Sequence, residues 1–228
     1  MRRFASLVLV AVLLPLEVAA FADPASGVPA TTARALPPYA ATISVLDRAT
    51  RQLMIGRSWR PGCPVPLRDL RLVELTYVGF DGRAHRGQLV VHRWYARGFV
   101  RAFRRLYAVR YPIRRMRLVD HYGADDTRSM VADNTSAFNC RWRAGSPGVW
   151  SQHAYGRAID VNPVENPYVT PTHVSPPAGE AYVDRSQDLP GMIHVRDRVW
   201  WAFHAIGWAW GGTWTTVHDY QHFSANGR

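Results

Sequence analysis

The chain contains no lysine: all 28 of its basic residues are arginine, set against 17 aspartates and glutamates. Every fixed side-chain cation is therefore a guanidinium. Cysteine is scarce as well. Cys63 and Cys140 allow one intramolecular disulfide at most; a bridge would close a long loop and contribute about 3–5 kcal/mol on the chain-entropy model, and two separate buried thiols are the alternative. No apolar run reaches the roughly 20 residues that a bilayer span requires, because the stretch from Phe4 to Leu14 ends at Pro15 and Glu17. No internal repeat or heptad pattern is present, which excludes repeat architectures and leaves a single globular domain.

What is present begins with the N-terminus. MRRFASLVLVAVLLPLEVAAFA has a charged start at Arg2 and Arg3, an apolar core and small residues around Ala20-Phe21-Ala22, the anatomy of a cleaved secretory signal. Residues 1–22 are assigned to that signal, 23–40 to a Pro/Ala/Thr-rich linker, and 41–228 to one domain. The mature protein is then expected outside the cytoplasm, in the cell wall or periplasm, as a monomer without a membrane span. The net charge of +11 attracts polyanions; export disfavours nucleic acid as a partner and leaves anionic lipid or an acidic wall polymer.

The expected fold class is α+β, a small antiparallel sheet with helices packed on it. Ile43 to Met54 carries apolar residues at helical spacing. LRLVELTYVGF and GQLVVHRW flank Asp81-Gly82, the signal of a β-hairpin. Tyr95 to Tyr107 has an amphipathic period with Arg97, Arg101, Arg104 and Arg105 on its solvated side. MRLVDHY reads as a short strand, 123–148 as a long polar loop, 163–190 as a Pro-rich excursion, and Val195 to Ile206 as a second helix.

Of the nine histidines, two have spacing that suggests chemistry. SQHAYGRAIDVNP places His153 seven residues before Asp160, and HDYQHF places Asp219 three before His222. Two imidazoles and a carboxylate are the donor set of a catalytic zinc site, which keeps one position open for water. Such an ion lowers the pKa of its water from about 15.7 toward about 7. Asp219 is placed to act as general base and then acid. A guanidinium would stabilise a developing oxyanion, and Arg128, Arg141 and Arg143 in the polar loop are candidates. Spacing alone leaves a structural reading open, with Asp160 in a turn, His153 at the surface and HDYQHF as an edge strand.

Taken together, Ser151, His153, Gly156 and Asp160 in the pattern S-x-H-x2-G-x3-D, followed by Asp219-x-x-His222, resemble the VanY-type D-alanyl-D-alanine carboxypeptidase family. These are zinc peptidases of the lysostaphin, D-Ala-D-Ala peptidase and Sonic hedgehog superfamily. SWRPGCPVPLRDLR, RSMVADNTSAFNCR, AIDVNPVENPYV and GWAWGGTW extend the resemblance over about residues 50 to 224. It implies a hedgehog-like fold and one Zn2+ per chain held by His153, Asp160 and His222. It also implies Asp219 as base and acid, Arg128 of Thr127-Arg128-Ser129 as the carbonyl-polarising arginine in a motif that lacks the usual tyrosine, and Ser151 as a supporting or substrate-binding hydroxyl. The substrate implied is the peptidoglycan stem peptide, cut as a carboxypeptidase or a related endopeptidase. The competing reading is a non-catalytic, zinc-containing wall-binding module.

Overall fold

The computed structural model describes residues 35–228; the expected signal at 1–22 and residues 23–34 of the expected linker lie outside them. The hairpin around Asp81-Gly82 forms the first sheet. β1 (Ala41–Val45), β2 (Leu70–Val78) and β3 (Ala84–His92) run antiparallel in that spatial order. Their alternation sends residues to two cores. Val73, Leu75, Leu89 and Val91 face the buried stripe Phe99, Phe103 and Leu106 of α2 (Ala96–Ala108), and the four arginines of that helix are exposed. Leu70, Leu72 and Val90 face Leu46, Met54, Phe138 and Ala154 on the other side. A sheet buried on both faces reads as nearly continuous apolar sequence, as LRLVELTYV does. Tyr39, in the stretch grouped with the linker, packs against the first core and donates through its hydroxyl to the Val100 carbonyl.

The expected helix from Ile43 to Met54 is only half realised. Residues 41–45 pair with β2 from Ala41↔Leu75 to Val45↔Arg71, and α1 spans Arg48–Met54, capped where Asp47 accepts the Thr50 amide at 2.7 Å. The free edge of β2 offers ladder bonds to a segment with β-branched Ile43 and Val45, and that pairing outweighs a helical period in an exposed stretch.

Of MRLVDHY only Met116 is strand, ending β4 (Arg115–Met116), and Val119–Tyr122 forms a 3-10 turn. The expected loop at 123–148 instead holds α3 (Asp126–Val131), β5 (Asn134–Thr135), and a hairpin of β6 (Trp142–Arg143) with β7 (Ser146–Trp150). Several of its polar side chains are spent on main-chain groups: Asp125 accepts the Arg128 amide at the head of α3, and buried Asn134 bonds the Arg117 main chain in both directions. Cys63 and Cys140 are joined in a disulfide that ties the segment after α1 to the root of the β6–β7 hairpin.

The rest of the chain builds two more small sheets. β8 (Ala158–Asp160), β9 (Tyr168–Thr170), β10 (His173–Ser175), α4 (Arg198–His204), β11 (Ala209–Trp210), β12 (His218–Asp219) and β13 (His222–Ser224) follow in that order. One sheet runs β11–β13–β8 and the other β10–β9–β12. α4 begins where Asp197 accepts the Trp200 amide, and its Phe203 stacks on Phe223 of β13 at 4.3 Å between ring centroids. The architecture is mixed, with several small, mainly antiparallel sheets rather than one. The 163–190 excursion is held to the body by buried polar contacts: Asn166 bonds the Val161, Asn162 and Gly191 carbonyls, and Arg185 donates to the Glu165 and Ile193 carbonyls and to Asn166. Among the described residues no helix is long and apolar enough to cross a membrane.

Candidate metal centre and active site

Sheet register brings two of the three candidate ligands together. Asp160 ends β8 and His222 opens β13, and the antiparallel register sets them directly opposite one another, which places cross-strand Cβ atoms about 4.5–5.5 Å apart. The third ligand arrives from a short 3-10 turn, Gln152–Tyr155. Ser151 heads that turn, its hydroxyl accepting the His153 amide at 3.3 Å, and Gly156 ends it with φ +63°. The Gly156 carbonyl accepts the His92 amide at 2.9 Å. A Cβ at position 156 would stand 2.6 Å from that same nitrogen. Only glycine fits, because both the positive φ and the close approach exclude a side chain.

The three ligand residues are buried, and their donor atoms converge. His153 Nε2 is 3.2 Å from an Asp160 oxygen and 3.2 Å from His222 Nδ1, while His222 Nδ1 is 3.0 Å from the other Asp160 oxygen. The opposite ring nitrogens are engaged elsewhere. His153 Nδ1–H donates to the Ala137 carbonyl and His222 Nε2–H to the Arg228 main-chain oxygen at 3.2 Å. Neutral rings protonated on those outer nitrogens turn their lone pairs toward the Asp160 carboxylate, where a proton or a metal ion can bind. Two lone pairs and a carboxylate at such a distance repel unless a cation lies among them. Bonds of about 2.0 Å to a tetrahedral zinc would set donor atoms roughly 3.3 Å apart, close to the spacing found, and outer bonds from the ring N–H groups to carbonyls are the usual support for such ligands. The residues fit a divalent metal ion.

Electrostatics agree with a cation-seeking cluster. Burial alone would push Asp160 up, yet His153 and then His222 hold it well below the usual carboxylate range. Burial would lower His153, and Asp160 more than reverses this, leaving the imidazole raised.

Asp219 stands apart from the ligand triad on β12, opposite Tyr168 of β9. It is pushed up to about 7 by burial, with His222 drawing it down and Asp160 pushing it further up. Its Oδ1 is sealed from solvent without a hydrogen-bond partner. Gly211, from GWAWGGTW, makes room for it: a Cβ there would lie 2.7 Å from the Asp219 carbonyl oxygen and 3.4 Å from His222 Cβ. A carboxyl whose pKa lies near neutrality, beside such a donor cluster, is suited to accept and return a proton.

The three candidate arginines separate clearly. Arg128 lies on α3 with 76% of its side chain exposed and pairs with Asp125 at 3.4 Å. Arg143 is exposed and bonded to the Ser146 hydroxyl across the hairpin turn. Arg141 is drawn inward to an ion pair with Asp126 at 2.7 Å. Burial would weaken its charge, but Asp126, Asp160 and Asp219 together hold it raised. Its Nε is buried without a partner. Asp126, which fixes this guanidinium, had no signal in the sequence, because the pairing depends on the folded hairpin and α3. Ser151 is buried and engaged in capping the His153 turn.

Residues 144–225 match the family model described as D-alanyl-D-alanine carboxypeptidase. The match supports the VanY-type family and contains His153, Asp160, Asp219 and His222, while Arg128 and Arg141 precede it. No curated protein and no solved structure matches the chain.

Proposed function

We propose that this chain belongs to the VanY-type D-alanyl-D-alanine carboxypeptidase family and is an exported zinc peptidase that hydrolyses an amide bond in the stem peptide of peptidoglycan. The observation that carries the reading is the pairing of a His153–Asp160–His222 donor triad with a separate carboxyl, Asp219, raised to about 7 and lacking a partner. A binding module that kept zinc for stability alone would have no use for such a group, which disfavours the non-catalytic alternative. The hedgehog-like arrangement implied by the sequence motifs belongs to the same proposal, as do export through residues 1–22, the domain assigned to 41–228, and a monomeric state.

His153, Asp160 and His222 would hold the ion. Zinc bound there would supply a Lewis acid that activates water and polarises the scissile carbonyl. Asp219 accepts a proton from the attacking water and returns it to the leaving amine, the two tasks that a carboxyl near its pKa performs best. Arg141, rather than Arg128, donates to the carbonyl oxygen as negative charge develops: its Nε has no partner in the protein, and Asp126 fixes the guanidinium from the other side. Ser151 contributes by holding the His153 turn.

The test is mass spectrometry of a muropeptide digest together with metal analysis. About one zinc per chain is expected, with cleavage abolished and zinc retained in Asp219→Ala. Both are lost in His153→Ala and His222→Ala. Zinc-loaded protein that binds sacculi and leaves every muropeptide intact would establish the binding module instead.

A further inference from the structure

The hairpin β6–β7 adjoins the candidate site on both of its strands. The Ser151 amide donates to the Arg141 carbonyl at 3.1 Å, so the hairpin's base joins the Arg141 main chain to the cap of the His153 turn. One step outward, Trp142 pairs with Trp150 in the register. The two indoles lie on one another with centroids 3.6 Å apart, and Trp142 is 40% exposed. Trp142 follows Arg141, and Trp150 precedes Ser151, directly along the chain, so the hairpin that carries the stack shares its backbone with two residues of the candidate site.

The stack is supported from behind. Arg60 stands over the Trp150 ring at 6.0 Å and donates to the Cys140 carbonyl at 2.9 Å, and the Cys63–Cys140 disulfide anchors the same root. Trp150 packs against the second core. Arg143 is pinned to Ser146 across the turn. An indole face left open, backed by a second indole, a guanidinium and a covalent cross-link, loses little freedom when something settles on it.

We propose that the Trp142–Trp150 stack is a pyranose platform that seats the glycan sugar to which the stem peptide is attached. The inference rests on the peptidase reading and deepens it, naming glycan-linked stem peptides as preferred over free ones. A pyranose presents a flat face of polarised C–H groups that matches an indole π-face, and its hydroxyl and acetamido oxygens match the guanidinium N–H groups of Arg143, the next residue along the strand. An apolar peptide side chain would instead call for an enclosed pocket, whereas this ring stands at the open surface.

The experiment has two arms. In the first, the zinc-loaded full chain is titrated with the N-acetylglucosamine trimer, which has no peptide to cleave, and read by tryptophan fluorescence and calorimetry. In the second, kcat/KM is compared for one stem peptide with and without its disaccharide. Saturable trimer binding is expected, lost in Trp142→Ala and partly kept in Trp142→Phe. A preference of about tenfold for the sugar-linked substrate, the scale of one ring stacked on an aromatic, should shrink toward one in Trp142→Ala. A protein that ignores the trimer and cleaves both substrates equally well overturns the platform and leaves the peptidase standing. One that binds the trimer through Trp142 yet cleaves neither substrate overturns the peptidase and keeps the platform. A preference unchanged in a folded Trp142→Ala also overturns it, and Trp142→Phe secures the result should the alanine variant fail to fold.

Discussion

Replacing Arg141 and Arg128 in turn tests which of the two guanidinium groups serves the proposed site. Arg141→Ala removes the donor whose Nε is unpartnered and whose charge faces Asp160 and Asp219. Loss of one oxyanion donor costs about 10²–10³ in kcat, or about 2.7–4 kcal/mol. The same change removes a cation that draws Asp219 down, so the acidic limb of the rate profile should shift to higher pH. Arg141→Lys restores the charge without the planar fork and should recover part of the rate and most of the pH profile. Arg128, with its side chain 76% exposed and its carboxylate partner Asp125 also exposed, makes a surface pair of the kind that contributes about 0–1 kcal/mol. Arg128→Ala should change kcat by less than about twofold. The assay is the initial rate of stem-peptide cleavage from pH 5 to 9, with zinc content and melting temperature measured on each variant. A hundredfold loss in Arg128→Ala beside a near-normal, folded Arg141→Ala would refute the assignment.

Two further outcomes test the scaffold. Glu165 is raised to about 8, first by burial and then by the neighbouring Asp133 carboxylate, and its Oε2 has no partner. A carboxyl whose folded pKa exceeds its unfolded value of 4.5 stabilises fully below about pH 4.5, and that contribution disappears as pH rises through about 8. Urea titrations of the zinc-loaded protein should therefore show wild type losing a few kcal/mol relative to Glu165→Gln between pH 5 and 9. A difference that stays flat or moves the other way contradicts the buried carboxyl pair. The Cys63–Cys140 bridge spans 77 residues, for which loop-closure entropy gives about 4–5 kcal/mol. The Cys63→Ala/Cys140→Ala double variant should lose stability on that scale in denaturant, and an unchanged midpoint would show that the reduced chain is already constrained there.

The fold was legible wherever a local pattern and its burial agreed. The Asp81-Gly82 hairpin and the amphipathic α2 were readable because each carries a period and a boundary within one segment. β1 was not, since Ile43 fits a helical period with Leu46, Ala49 and Leu53 as well as a strand, and the decision came from β2, which pairs at Ser44↔Leu72 across 28 residues of chain. The polar stretch 123–148 was misread for a related reason. Polar composition signals loop only when solvent satisfies the polar groups, and here Asn134 and Asp125 are spent on main-chain amides and carbonyls.

The candidate site divides along the same line. His153, Gly156 and Asp160 share one turn and one strand, so their spacing carries geometric information, and the positive φ at Gly156 is what a glycine there would be needed for. His222 reaches Asp160 only through the β13–β8 register, which spacing cannot express; Asp219 three residues before it marks His222 as a candidate, and the motif resemblance implies the pairing. For the arginine neither kind of signal sufficed. A chain whose 28 basic residues are all arginine offers no compositional mark on the one that the proposal assigns to the carbonyl. A short Arg-Ser match selected Arg128, while the inward turn of Arg141 depends on Asp126 and the disulfide-anchored hairpin. A ligand can be recognised by its chemical type, but a guanidinium's role is set by whether its donors remain unpaired after folding, and among the three candidates Arg141 alone combines an ion pair to Asp126 with a buried, unpaired Nε.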